Sequence, residues 1–460
     1  MDSHLIERQL DTLRNTFKGG ALNAYAERRR HLNQMQRFLT EHEESLLAAL
    51  HADMGKPPLE AYVSEVAFLK EELRFILKHL KKWMSPAKVS TPFFLWPGAS
   101  SVIPQPLGVC LIISPWNYPL QLALAPLAGC IAAGNSAVVL LSDQAPATAT
   151  YLTKYLVAFL PKEVVWLVTG DGAVWFEALT KATRFDHIFF TGSTTVGKLV
   201  AKRAAETLTP VTLELGGKSP CIVLPDADVS ITAKRIAWGK CFNAGQTCVS
   251  PDYLLVHRSL KEPLVKAVAD ALRHFYPEKV NAMEGGDYGH MVHIRRWRTV
   301  VDYLATVEVV HGGSYDEKTL RIEPTIVAPP SWEVPIMQEE IFGPVLPLFT
   351  FETDEELHAM LDKHPNPLAF YVFGQKGAKQ LLHQRSFGGG IHNHVLMHLA
   401  NPQLPFGGTG MSGMGRYHGA YSFQCFSHFK AIMRYPTWFE LPILYPPYKN
   451  NLRWVRRLIG

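Results

Sequence analysis

Apolar and charged residues alternate at helical spacing in the first part of the chain. The stretches ERRRHLNQMQRFLTEHEESLLAALHADMG and EAYVSEVAFLKEELRFILKHLKKWM predict one helix ending at Gly55 and another stopping at Pro86. The pattern then changes. Between Val89 and Ser142 there is no Asp, Glu, Lys, Arg or His. Such a run invites a membrane span, but Pro92, Pro97, Pro104, Pro106, Pro115, Pro119 and Pro126 interrupt it, and Asn117, Gln121 and Asn135 would need partners in lipid. It reads instead as buried strands around Gly108–Ser114 and Ser136–Leu141, joined by a packed helix from Leu120 to Ala133.

Strands and helices then alternate. A helix at Ala147–Phe159 precedes VVWLV and HIFF, a helix follows Thr191, and VTLEL reads as a strand. From near Val211 the theme repeats as a second α/β unit: CIVL, a helix at Val229–Gly239, YLLVH, a helix at Lys261–Phe275, then EPTIV, PVLPLFTF and AFYVFG. Turn-rich loops fall at Glu284–Gly289 and Gly312–Ser314. The expected class is α/β, a doubly wound parallel sheet with a second α/β domain. The final stretch, KNNLRWVRRLIG, is basic and reads as a solvated helix, with peripheral membrane contact as the alternative.

Composition narrows the function classes. With 47% hydrophobic residues over 460 positions, the chain can bury a large core and is not disordered. A net charge of +5 is too thinly spread for a nucleic-acid face. The cysteines show no C-x-x-C spacing, so neither a zinc knuckle nor a disulfide framework is indicated, and a reducing, cytoplasmic compartment is expected. MDSHLIERQL has charges where a secretory signal needs an apolar run. His392, His394 and His398 have an H-x-H-x-x-x-H spacing without an accompanying carboxylate, so no metal site is expected.

Six segments carry candidate chemistry. Cys248 in FNAGQTCVSPDY follows small residues, so its sulfur is reachable as a nucleophile; the alternative is a small buried hydrophobe. Glu214 in VTLELGGKSP is a carboxylate in an apolar strand, there for a task or for an ion pair with Lys218. Asn117 in SPWNYP sits in a turn after a buried strand, where α/β folds place ligand contacts, although Asn is also a common turn former. FTGSTTVGKLV runs a strand through Gly192 and Ser193 into a helix whose free N–H groups can hold a phosphate, a pattern of low specificity alone. QEEIFGPVLPL presents Glu339, Glu340 and Phe342. LPFGGTGMSGMGRYHG is either a loop closing over a site or a crossing segment between domains.

Together these segments are far more specific than any one of them. PWNYP, FTGS, LELGGK, GQTC, EEIFGP and PFGG, in this order, resemble the NAD(P)-dependent aldehyde dehydrogenase superfamily, from DMGKP near Asp53 to about Pro447. CVSPDY and MGRYHGAYSFQCFSH are similar to its class 3 branch of fatty and aromatic aldehyde dehydrogenases, in a soluble form.

The resemblance implies roles. Cys248 is the nucleophile, giving a thiohemiacetal and then a thioester. Asn117 and the Cys248 N–H hold the oxyanion, and Glu214 is the general base, with Glu340 as the other claimant to that role. Gly192, Ser193 and Gly197 meet the pyrophosphate, while Glu340 and Phe342 fix the nicotinamide ribose. Trp116, Leu140, Ser142, Asp143 and Leu215 fall at further dinucleotide-contacting positions. Tyr118, Leu122, Thr247, Phe406 and His418 line an aldehyde tunnel suited to medium- or long-chain aliphatic or aromatic substrates. The implied domains are 1–88 with 104–210 for the coenzyme, 211–400 for catalysis, and 89–103 with 401–460 as bridging and C-terminal segments. The bridging pieces, about Val89–Ile103 and Ser427–Tyr435, would make a homodimer.

One segment departs from the family. GNSAVVLLSDQAP has Leu140 where a lysine usually contacts the adenosine ribose, and Asp143 where a glutamate helps choose the cofactor. NAD is expected to be preferred over NADP only modestly. Two rival readings stay open: an inactive relative with a binding role, supported by Leu140 alone, and an enzyme that passes the acyl group to coenzyme A.

Overall fold

The computed structural model describes residues 3–277, 286–448 and 451–459. Its helices begin as the apolar periodicity dictates, with two departures. The helix expected to run to Gly55 is two, Tyr25–Glu41 and Glu43–Met54, broken at His42. The His42 ring stacks on Phe38 at 4.9 Å and bonds the Tyr151 hydroxyl at 2.6 Å, contacts that sequence spacing does not encode. Gly55 takes the left-handed conformation (φ 60°) that ends the second helix. The next helix is also divided. After Pro58–Ala61 comes a single wide π turn, Tyr62–Val66, and then Ala67–Trp83. Such turns mark functional positions, and this one brings Glu65 inside.

The first sheet has six strands, in spatial order Gly413–Met414, Val211–Glu214, His187–Thr191, Val109–Ile113, Ser136–Ser142 and Val165–Gly170. All pairs are parallel except the outermost, where Gly413 faces Glu214. Strand order reverses between Val109–Ile113 and His187–Thr191, a topological switch point with a crevice beyond its carboxyl ends. Alternation along each strand feeds two cores. Cys110, Ile112, Ala137 and Val139 face one, whereas Val109, Leu111, Val138 and Leu140 face Ile6, Leu10 and Leu13 of the helix Ser3–Lys18.

The second sheet has seven strands, ordered Glu308–His311, Thr325–Ala328, Val345–Phe351, Tyr253–His257, Pro220–Val223, Ala369–Phe373 and Gly389–His392. It shares one core with the first sheet: Cys221, Val223, Leu254, Val256 and Tyr371 belong to the same apolar cluster as Cys110 and Ile112. The turn-rich loop near Glu284 lies partly outside the described residues.

Two expectations are corrected. The second unit does not begin at Val211. That strand pairs with His187–Thr191 in the first sheet, and the second sheet starts at Pro220. The glycine-rich segment near the end is not a crossing piece alone, since Gly413–Met414 is an edge strand of the first sheet. Ala87–Val89, Ala99–Pro106 and Ser427–Arg434 form a separate three-stranded antiparallel sheet from the two pieces read as bridging. Among the described residues no helix is long and apolar enough to cross a membrane.

Candidate functional site

The loop after Val109–Ile113 and the turn carrying Cys248 meet beside the switch point. Helix Val229–Cys241 ends in a tight turn, Phe242–Gly245, in which Asn243 and Ala244 take positive φ (54° and 52°). Gly245 (φ 74°) lies against the Gly343 carbonyl, and a Cβ there would come within 2.3 Å of it, so the G of GQTC is required twice over. Gln246 is buried and ties the turn down, donating to the carbonyls of Asn243 (3.1 Å) and His290 (3.0 Å) and accepting from Val292 N–H (2.9 Å). Thr247 bonds the Tyr118 hydroxyl at 2.5 Å. Cys248 follows, half-buried. Asn117 is held against the same turn: its side-chain amide donates to the Gln246 carbonyl at 3.0 Å, which leaves its second N–H uncommitted.

Cys248 opens into an apolar cavity of about 220 Å³. All five residues expected to line a tunnel, Tyr118, Leu122, Thr247, Phe406 and His418, are in its wall. Glu214 is there as well, at the end of its strand, and neither carboxylate oxygen has a hydrogen-bond partner. The ion pair with Lys218 does not form. Lys218 Nζ instead binds Asp252 and the carbonyls of Ile336 (2.9 Å) and Glu339 (3.0 Å). Burial alone pushes the Glu214 carboxyl far above its usual range. Burial, with Glu340 and Glu214 adding to it, also pushes the Cys248 thiol up.

Behind the cavity lies a polar brace that single motifs did not reveal. Lys56 Nζ meets Glu65 Oε1 at 2.5 Å, donates to the Asn117 carbonyl at 3.1 Å and sits 4.3 Å from the Tyr118 ring centroid. Glu65 Oε2 accepts the backbone N–H groups of Leu120 (2.9 Å) and Gln121 (3.2 Å), capping the helix Gln121–Ala133. Glu60 receives Asn243 N–H at 2.9 Å, and burial raises its pKa to about 7. The lysine of DMGKP was the available signal, but its partner lies in the π turn and could not be read from spacing.

The remaining residues frame the crevice at the carboxyl ends of the first sheet. Ser193 caps the helix Thr194–Ala205, accepting Val196 N–H at 3.3 Å, and Gly192 N–H donates to the Glu214 carbonyl at 3.0 Å. Gly197 is buried against Leu215, where a Cβ would meet Leu215 Cδ2 at 2.6 Å, so a glycine here lets the helix pack close to the strand. Leu215, itself in the cavity wall, donates its N–H to the Ser412 carbonyl at 3.1 Å. Trp116 packs edge-on to Phe342 with centroids 5.4 Å apart. Glu340 presses on Gly216, where a Cβ would fall 1.8 Å from Oε2, and burial first, then Asp252, raises its pKa to about 8. Ser142 closes its strand and accepts Gln144 N–H at 3.2 Å, and Asp143 is exposed in the turn beyond. Leu140 is placed otherwise than expected. It is 2% exposed in the apolar layer under Ser3–Lys18, because strand alternation turns it inward with Val138.

The three histidines near residue 395 have separate surroundings. His392 bonds the Gly374 carbonyl, His394 the Val395 carbonyl at 2.8 Å, and His398 is partnerless beside Gly389.

The crevice suits a dinucleotide. Val174, Val196 and Leu199 are exposed apolar residues on the helices Gly172–Ala182 and Thr194–Ala205, which Arg203 joins by donating to Thr180 Oγ1 at 3.1 Å. An adenine-sized ring would find apolar surface there, and a phosphate the open helix N-terminus.

Comparison with known proteins gives the same answer from outside. The family model described as "Aldehyde dehydrogenase family" matches residues 2–432. The chain is 40% identical over 433 residues to 4,4'-diaponeurosporen-aldehyde dehydrogenase of Staphylococcus aureus, covering 93% of this chain and 94% of that protein. It is 41% identical over 425 residues to aldehyde dehydrogenase family 3 member A2 of Rattus norvegicus, covering 92% and 87%. The solved structure of Staphylococcus aureus AldH in a substrate-bound state superposes with a TM-score of 0.95 at 38% identity, over 99% of both chains.

Proposed function

The chain belongs to the aldehyde dehydrogenase family, on its family 3 branch, and from that membership we propose how its residues divide the NAD(P)-dependent oxidation of aldehydes to acids. As Cys248 Sγ bonds to the aldehyde carbon its thiol proton passes through water to the solvent, and the resulting oxyanion takes the free amide N–H of Asn117 and the backbone N–H of Cys248; removing one such donor costs about 10²–10³ in rate. NAD(P)⁺, held at the crevice by Ser193, Trp116, Glu340 and Phe342, would supply the hydride acceptor, and an acyl thioester would then stand on Cys248. Glu214 then takes a proton from a water that attacks the thioester carbon, the C–S bond breaks, and the acid leaves with the thiol restored. The carrying observation is the partnerless Glu214 carboxyl in the wall of the cavity that holds Cys248. A carboxyl buried without a partner is costly, and it is kept where that proton must move. Glu340, pressed on Gly216, is assigned to the cofactor side, with Ser193, Trp116 and Phe342.

The apolar cavity, walled by Phe68, Leu122, Trp238 and Phe406, favours medium- or long-chain aliphatic or aromatic aldehydes over small polar ones. NAD is preferred modestly over NADP, because Asp143 is exposed in the turn beyond Ser142 and would repel a 2′-phosphate, though less than a longer glutamate would. A homodimer forms through the three-stranded sheet, a reading supported by Phe93 and Trp96, exposed between its strands, and by Phe429 and Met433, exposed on one. Nicotinamide reduction measured over a graded series of n-alkyl and aromatic aldehydes, with each cofactor and with or without coenzyme A, tests the reading. kcat/KM should rise with chain length, favour NAD by a small factor and ignore coenzyme A. A flat or falling length profile would overturn the substrate class.

A further inference from the structure

We propose, resting on the aldehyde reading above, that the protein selects aldehydes carrying an anionic group at the far end of the chain, and that Lys234 and Arg235 receive that group. The apolar cavity that holds Cys248 has a neighbour. Trp238 and Met397 line it and also line a second hollow of about 240 Å³, whose other residues are Lys234, Arg235 and His394. Two elements supply the five. Lys234, Arg235 and Trp238 stand on the helix Val229–Cys241, where spacings of four and three residues put both cations on the face of the tryptophan. Met397 opens the short turn Met397–Ala400, and His394 sits edge-on to Trp238 with ring centroids 5.9 Å apart.

The two spaces differ in charge. No lysine or arginine lines the cavity of Cys248, and its one ionisable carboxyl is Glu214. In the second hollow Lys234 is exposed and Arg235 half-buried, with one Arg235 N–H given to the Asn393 carbonyl. Among the described residues neither cation has an acidic side chain within ion-pair distance. Long cationic side chains lay their methylene stems along apolar surface and keep their heads in water. A chain leaving the tunnel between Trp238 and Met397 therefore meets more apolar surface first and two unpaired positive heads beyond it. A carboxylate that stops inside the tunnel is buried without a partner, which is costly, whereas one carried past Trp238 finds both cations. The sign of the effect of a distal charge thus depends on chain length: unfavourable when the chain is short, favourable when it is long enough to pass the tryptophan.

The test compares ω-oxo carboxylic acids with their methyl esters, matched carbon for carbon over a graded series of lengths, by nicotinamide reduction. Short acids should be poorer substrates than their esters. Past a threshold length the acid should overtake its ester by about three- to tenfold in kcat/KM, the scale of exposed ion pairs to two cations. The gain should lie in KM and not in kcat, because a contact remote from the carbonyl is made equally before and at the transition state, and high salt should erode it. Lys234→Glu should cancel or reverse the acid-to-ester ratio of the long pairs, as should Lys234→Gln combined with Arg235→Gln. Where loss of the Arg235 bond to Asn393 unfolds the double variant, Lys234→Glu alone decides. Acids no better than esters at every length, or a preference unmoved by Lys234→Glu and by salt, would overturn the proposal. Calorimetric binding of the long diacid against its monomethyl ester reads the same preference without turnover. A protein that oxidised neither acids nor esters would therefore overturn the proposed reaction, and the diacid comparison would still decide the role of Lys234 and Arg235.

Discussion

Two buried glutamates in the same neighbourhood have opposite surroundings. Glu65 is fully enclosed, yet its oxygens hold Lys56 and two helix N–H groups, and the pair fixes both the Asn117 carbonyl and the Tyr118 ring. Glu214 is 2% exposed, and its carboxyl oxygens have no hydrogen-bond partner. Breaking a buried pair strands a charge, so the Lys56–Glu65 brace resists change and serves as scaffold. A partnerless carboxyl contributes no such order. What it keeps is an available proton site, which a scaffold glutamate has already spent on its neighbours.

The widest gap between scaffold and chemistry should appear at Cys248. Cys248→Ala is expected to lower turnover by about 10⁴–10⁶-fold while leaving dinucleotide binding and the denaturant midpoint near wild type, because it deletes only the reacting atom. Retention of more than a few per cent of turnover would remove Cys248 from the nucleophile role. Glu214→Gln should cost about 10²–10⁴ in steady-state rate, with stability unchanged or improved. Rapid mixing should show one burst of reduced cofactor per site before the slow phase. A uniformly slow trace without a burst would move the base to Glu340. Lys56→Met should behave in the opposite way, losing about 3–5 kcal/mol of stability through the stranded Glu65, and Lys56→Met with Glu65→Gln should recover part of it. If the single variant unfolds like wild type, the brace is not scaffold.

A smaller effect concerns Glu72, which accepts Gly419 N–H at 2.7 Å and Ser422 Oγ at 3.4 Å. Burial raises its pKa from 4.5 to about 7 despite those donors. The folded protein therefore keeps this proton while the unfolded chain has released it, so the stabilisation is full at acid pH and is lost as pH climbs from about 4.5 through 7. Unfolding free energy should fall across that window, and Glu72→Gln should flatten the fall by up to about 3 kcal/mol. Identical pH slopes for wild type and Glu72→Gln would show that Glu72 titrates normally. Raised values at Glu60 and Glu340 predict that part of the slope survives.

Legibility in the sequence followed locality. Helix Lys261–Phe275 was readable to the residue, because its periodicity and its boundaries lie within it. The cavity wall was readable from motif wording: Tyr118, Leu122, Thr247, Phe406 and His418 all reach it. What could not be read depends on partners distant in the chain. The Glu214–Lys218 pair looked natural at four residues' separation, yet Gly216 and Gly217 let the chain turn, and Lys218 finds Asp252. Leu140 stands where the family's lysine contacts the adenosine ribose, but the alternation of its own strand buries it. Val211 was given to the wrong sheet because a lone strand sequence carries no record of its neighbour.

The edge strand Gly413–Met414 bears on synthesis. It pairs with the strand that ends in Glu214, and Ser412 receives the Leu215 N–H, so the carboxyl's own strand stays open on one side until residue 414 has been made. Phe406, Tyr417 and His418 close the cavity from the same stretch, and the Phe426 carbonyl anchors Asn135 at 2.8 Å. A nascent chain can collapse its helices and most strands of both sheets while still on the ribosome. The residues proposed as its nucleophile, oxyanion donor and base are all translated by residue 248. They nevertheless face water until the last tenth of the chain arrives, so a message truncated just after Gly389–His392 would encode every reacting group and no enclosed pocket for them to work in.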